Sequence, residues 1–227
     1  MILKPSQNPL FVEHPYLRKN YNRFELDALD DTDWLWQQLI IDETSDDPLI
    51  TVKLEWRRMH YHGLAQFFTE IAICYAYWQT LVACGIEYSQ TLLFHGNNVV
   101  LRIVSCWDRM GFCLNDRFDL GHPENDPYFG IIITELCSRL DIERRHVRRI
   151  RKLKEIFDKD AKLRDWRNKY LHRYGEYFSI ENSGDIKISS FPNNKQRTQM
   201  VQELNTILEK SFTNIKHAMK LLSELFL

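Results

Sequence analysis

Glycine and proline are scarce, at 8 and 7 of 227 residues. So few turn formers argue against a sandwich of short strands and for long helices. No stretch reaches the roughly 18 consecutive apolar residues that a membrane-spanning helix requires. The opening Met1-Ile2-Leu3-Lys4-Pro5 also lacks the apolar core of a secretory signal. A cytoplasmic protein with no membrane partner is the expectation. Five cysteines, Cys74, Cys84, Cys106, Cys113 and Cys137, form an odd count without any C-x-x-C pair. All five sit in apolar helical patterns, so they are expected to be reduced, buried thiols and not metal ligands or disulfides. The chain contains no H-E-x-x-H, Walker loop, G-x-S-x-G or G-x-G-x-x-G, which leaves zincin, P-loop, hydrolase-elbow and dinucleotide chemistry without a carrier. There is no internal repeat and no low-complexity tract.

What is present is a globular composition, 44% hydrophobic and 13% aromatic, in a chain long enough to bury a full core. Residues 1–50 read as a proline-interrupted arm and a helical extension broken near Asp30-Asp31-Thr32-Asp33. Residues 51–227 read as a helical domain. Apolar residues at three-to-four spacing predict helices over about 51–86 and 95–120. The first carries Trp56, Met59, Leu64, Phe67, Phe68, Ile71, Trp78 and Leu81; the second carries Val99, Val100, Ile103, Cys106, Trp107, Met110, Cys113 and Leu114. A shorter helix ends near residue 140. Asp141 is expected to cap a basic helix that continues to residue 171 or 172. A small β-hairpin is expected over about 177–190, around Asn182-Ser183-Gly184. A last amphipathic helix carries Leu204, Leu208, Phe212, Ile215, Met219, Leu222 and Leu225. The pattern as a whole is all-α, an antiparallel helical bundle.

The total charge of -1 conceals a strong asymmetry. Between Arg144 and Arg173, thirteen Lys and Arg against four Asp and Glu give +9, so the remainder carries -10. A face of this kind fits RNA or another polyanion, through Arg144, Arg145, Arg148, Arg149, Arg151, Lys152, Arg164, Lys169 and Arg173. The competing reading is a solvated helix face. Asp108-Arg109 and Asp116-Arg117 read as structural ion pairs, with Arg102 or Asp108 also placed to support a site from the neighbouring helix.

The basic helix leads into Arg167-Asn168-Lys169-Tyr170-Leu171-His172-Arg173-Tyr174. Arg167 is a permanent cation suited to phosphate, and His172 brings an imidazole that titrates near neutral pH. On a continuous helix Arg167 and Tyr174 share a face, whereas Arg167 and His172 stand about 140° apart. The pair converges only if the helix unwinds near Leu171, which Gly175 favours, or if a second copy supplies the other half.

Arg167 to His172 resembles the R-x4-6-H signature of the HEPN superfamily, where a polar residue such as Asn168 commonly follows the arginine. Extended to Tyr174, the string is similar to the R-x4-H-x-Y of HEPN toxins paired with a nucleotidyltransferase antitoxin, which adds AMP to the tyrosine. The N-terminal extension and the hairpin resemble the larger bacterial HEPN subfamilies. The resemblance implies a bundle of four to five core helices and a homodimer that juxtaposes two motifs. It also implies a metal-independent endoribonuclease, a toxin or defence effector, that needs no cofactor. Arg167 and His172 are then catalytic, and Asn168 and Tyr174 supporting. The alternative within the same resemblance is a non-catalytic module that binds RNA, a nucleotide or a partner protein.

Overall fold

The computed structural model describes residues 48–83, 89–123, 129–170, 178–180, 186–188 and 194–226. The helices are α1 (Pro48–Ala83), α2 (Ser89–Arg117), α3 (Phe129–Ser138), α4 (Arg144–Lys159), α5 (Ala161–Tyr170) and α6 (Asn194–Phe226). Two short strands, β1 (Phe178–Ile180) and β2 (Ile186–Ile188), pair antiparallel with Phe178 opposite Ile188. The turn-forming Asn182-Ser183-Gly184 lies outside the described residues, as does the N-terminal extension to residue 47.

The architecture is a helical bundle built on α2. Helix α1 packs along α2, α6 packs on the other side, and α4 closes against α3 and α6. The expected apolar stripes become the core: Leu64, Phe68, Ile71, Trp78 and Leu81 of α1 meet Val99, Ile103, Trp107 and Met110 of α2, all buried. From α6, Leu204, Leu208, Ile215, Met219, Leu222 and Leu225 complete it. Phe212 stacks on Tyr75 with ring centroids 4.2 Å apart. Burial and the nearby Glu209 push the Tyr75 phenol up to about 12. Gly96 marks the tightest crossing. A Cβ there would stand 2.5 Å from Leu204 Cδ2 and 2.8 Å from Trp78 Cζ3, so only glycine lets α2 approach both neighbours. Cys106 and Cys113 are buried, and Cys74 and Cys137 partly so; all four are free thiols. Cys84 lies outside the described residues.

Helix α2 differs from its expected span of 95–120 at both ends. It begins at Ser89, six residues early, because Leu92 is buried and Leu93 packs against the core. At the other end Asp119 adopts a left-handed φ of 47°, Leu120 N–H donates to Asn115 O and Asp119 N–H to Asp116 O. This Schellman-type closure stops the helix at Arg117, three residues before the expected end. The connection beyond it is tied by Asn115, whose amide both accepts from and donates to the backbone of His122. His122 Nε2 also meets Glu135 Oε2 of α3 at 2.6 Å.

The expected continuous basic helix is in fact two helices, broken at Asp160. Asp141 does not cap the first of them. Its carboxylate is held by Arg139, and the N-cap position is Glu143, which makes no side-chain capping bond. The break has a tertiary cause. Asp160 turns inward, where Oδ2 accepts from Trp107 Nε1 at 3.1 Å and Oδ1 from Asn214 Nδ2 at 2.6 Å. Ser211 adds a third side-chain bond. Residue 160 sits at φ -85° and ψ 13°, and α5 restarts with Leu163 and Arg164 donating to Asp160 O.

Candidate functional site

The motif arginine is presented by α5, a ten-residue helix fixed by its inward residues. Leu163 and Trp166 are buried. Trp166 Nε1 donates to Asn97 Oδ1 of α2 at 2.9 Å. With Asp160 anchored on Trp107, α5 is pinned to α2 at both ends. Arg167 follows Trp166 and is half-buried, while Asn168 and Lys169 are exposed in the last turn. His172, Arg173 and Tyr174 lie outside the described residues.

Asp108 of α2 lies close enough to Arg167 to feel its charge. Burial raises the Asp108 carboxyl above its ordinary value, and the Arg167 cation and the Phe129 backbone N–H pull it back down. The sequence-based pairing of Asp108 with Arg109 does not hold. Arg109 lies over the ring of Phe67, 4.5 Å from its centroid. Arg102, the other supporting candidate, is taken by Glu70 of α1. Arg117 Nε donates to Leu225 O at 3.5 Å.

The basic residues divide by what holds them. Arg164, expected as an RNA contact, is turned back into the fold. Its guanidinium stands 3.8 Å from the Phe157 ring centroid and donates to Phe157 O at 2.6 Å. It therefore adds a second donor to a carbonyl that already accepts from Asp160 N–H at the break, and stiffens the corner. The rest of α4 is strongly two-faced. His146, Ile150, Leu153, Ile156 and Phe157 are buried, and the cations occupy the outer side. Burial, with the neighbouring Arg145, lowers the His146 imidazole and favours its neutral form.

Along that outer side, α4 and the end of α6 form a groove of about 1100 Å³. Its walls carry Arg144, Arg145, Arg148, Arg149, Arg151 and Lys152, with Val147 and Leu221 as apolar contacts. Three of the cations are braced: Arg145 by Glu143 at 2.8 Å, Arg149 by Glu224 at 3.0 Å, and Lys152 by Glu155 at 2.9 Å. Arg144, Arg148 and Arg151 are exposed, and no ion pair among the described residues holds them. Because of the break at Asp160, this groove and Arg167 lie on different helices, α4 against α6 and α5 against α2.

Among the described residues no group of three or more His, Cys, Asp or Glu is placed to hold a metal ion. No described helix is long and apolar enough to cross a membrane. Asn97 and Asp160 are the positioning residues that the sequence did not disclose. Neither belongs to a motif, and only the partners Trp166 and Trp107 reveal them.

A family model, HEPN_Cthe2314-like HEPN, matches residues 60–225. No curated protein and no solved structure matches the chain.

Proposed function

Because the chain belongs to the HEPN_Cthe2314-like HEPN family, we propose that it is a metal-independent endoribonuclease, acting as a homodimer that brings two Arg167–His172 motifs together. The observation that carries this reading is the placement of Arg167. It sits in the last turn of a helix locked by Trp166 and Asn97, near the half-buried carboxylate of Asp108.

In the proposed reaction the ribose 2′-oxygen attacks the adjacent phosphorus, and the bond to the 5′-oxygen breaks. His172 takes the 2′-hydroxyl proton or returns one to the leaving 5′-oxygen. Arg167 binds the non-bridging oxygens and stabilises the charge that develops on the phosphorane. Asn168 orients the arginine or the phosphate, and Tyr174 contacts substrate or accepts a modifying group. The products carry 2′,3′-cyclic phosphate ends. The groove cations of α4, with Lys169 and Arg173 beside the motif, grip the RNA backbone. A toxin or defence role, and an antitoxin of nucleotidyltransferase type acting on Tyr174, extend the same proposal.

The test is incubation of the protein and its His172→Ala variant with total RNA and tRNA in EDTA. Cleavage by the unmodified chain alone, with cyclic-phosphate ends, is the expected result. If neither protein cleaves while both remain folded and bind RNA, the chain is the non-catalytic member of its family.

A further inference from the structure

The arginine groove has a complement within the same chain. Residues 25–47 hold nine Asp and Glu and not one Lys or Arg. They also carry Trp34, Leu35 and Trp36, apolar side chains that match a groove whose contacts include Val147 and Leu221.

The register of the bundle decides whether this segment can reach the groove. Helices α1 and α2 run antiparallel, with Glu70 bound to Arg102 and Gly63 lying against the Arg109 guanidinium. Both contacts share one register, and continuing it sets Arg117 level with about residue 55 of α1. Pro48 then lies about 10 Å further along the axis, beyond that same end of α2. At this end Arg117 Nε donates to Leu225 O, and the adjacent Glu224 binds Arg149. The acidic segment therefore joins the bundle at the end where the groove lies. Its 23 residues extend to about 70 Å, while the groove spans Arg144 to Glu155, about 18 Å of helix.

We infer that residues 25–47 dock in the arginine groove between α4 and α6 of their own chain. Arg144, Arg148 and Arg151, which no described residue neutralises, receive the carboxylates, and one of the tryptophans covers Val147 and Leu221. The docked segment occupies the cations that an RNA backbone would use, so the two compete. Docking does not depend on the ribonuclease reading; only the consequence for RNA rests on it.

Zero-length carbodiimide cross-linking of the full chain tests the docking, using an equal mixture of ¹⁴N- and ¹⁵N-labelled protein. The expected product joins a carboxylate of residues 25–47 to Lys152 within one isotopic species, and Lys152→Ala abolishes it. No such cross-link overturns the inference. Cross-links only between light and heavy chains also overturn it, assigning the occupant to a second copy. The full-length variant Asp27→Asn/Asp30→Asn/Asp31→Asn/Asp33→Asn is then titrated with poly(U) at low salt. Competition predicts about tenfold tighter binding than the unmodified chain, and equal affinity overturns it. If poly(U) binds neither protein, the RNA reading of the groove fails while the cross-link still decides the docking.

Discussion

Trp107 of α2 and Asp160 between α4 and α5 are joined by an indole-to-carboxylate hydrogen bond of 3.1 Å in the buried core. This single contact explains why the basic helix stops where it does. A carboxylate that must accept from Trp107, Asn214 and Ser211 cannot also face solvent on a straight helix. Asp160→Ala leaves those donors without an acceptor and is expected to cost about 2–3 kcal/mol, read by urea unfolding followed by tryptophan fluorescence.

The same residue predicts a pH dependence. Burial, the largest influence, raises the Asp160 carboxyl above its ordinary value of 3.8. The unfolded chain therefore ionises first, and the contribution of Asp160 to stability is full below about pH 3.8. It declines as pH rises through the elevated folded value. Asp160→Asn cannot titrate. Unfolding free energies of the two proteins should diverge from pH 4 upward, with the difference moving in favour of the variant. Parallel curves would show that another group carries the dependence.

Asp108 and Arg167 make a second, functional prediction. Asp108→Asn keeps an acceptor for the Phe129 N–H but removes the charge facing the motif arginine. If Asp108 positions Arg167, the cleavage rate should fall about tenfold to a hundredfold with RNA affinity nearly unchanged. Because the Asp108 carboxyl is raised above 3.8, the unmodified protein should lose activity at an acidic limb above that value, where Asp108 becomes protonated. That limb should vanish in the variant. Single-turnover cleavage across acidic pH checks both effects. An unchanged rate and limb would leave Asp108 as the anchor of α3 only.

Most of the bundle was legible in the sequence because burial imposes a period. The stripes of α1, α2 and α6 were assigned from three-to-four spacing, and most of those residues are the core; Phe67 is half-buried, and the side chains of Trp56 and Met59 lie outside the described residues. What escaped has one character. Asp160 breaks a helix without glycine or proline, Arg164 leaves the surface for Phe157, and Asp108 feels the charge of Arg167 across the fold. Each depends on a partner more than fifty residues away or on a corner created by one, and local patterns carry no record of such partners. The Arg167 string stands out because it is contiguous in sequence. Its support from Asn97 was not, because only the fold brings α2 beside α5.

Gly96 offers a test of the packing. Alanine there must displace Leu204 and the ring of Trp78, which is also held through its indole N–H by Asn205 at 3.1 Å. Leu204 can move its terminal methyl, but the anchored indole cannot rotate away without losing that bond. Gly96→Ala should destabilise the protein by about 1–3 kcal/mol, seen as a lower thermal midpoint. Asn205→Ala, by freeing the indole, should make the alanine more tolerable than the two separate effects imply. Strict additivity would place the strain elsewhere.

The groove on α4 separates exposed cations without an ion pair among the described residues from cations that brace. Arg144, Arg148 and Arg151 are exposed and unpaired among the described residues, whereas Arg149 ties α4 to α6 through Glu224. Replacing Arg144, Arg148 and Arg151 together by alanine should leave the thermal midpoint nearly unchanged. The same change should reduce the slope of log affinity for single-stranded RNA against log salt by about 2, at roughly 0.7 per phosphate contact. Arg149→Ala should do the reverse, lowering stability modestly because Glu224 is left half-buried without its partner, while the salt slope changes by less than one contact. Fluorescence anisotropy with labelled poly(U) over a salt series, beside thermal unfolding of each variant, measures both quantities. A triple variant that binds with the same slope would return α4 to a solvated face, and the grip on RNA would then have to come from Lys169 and Arg173 beside the motif.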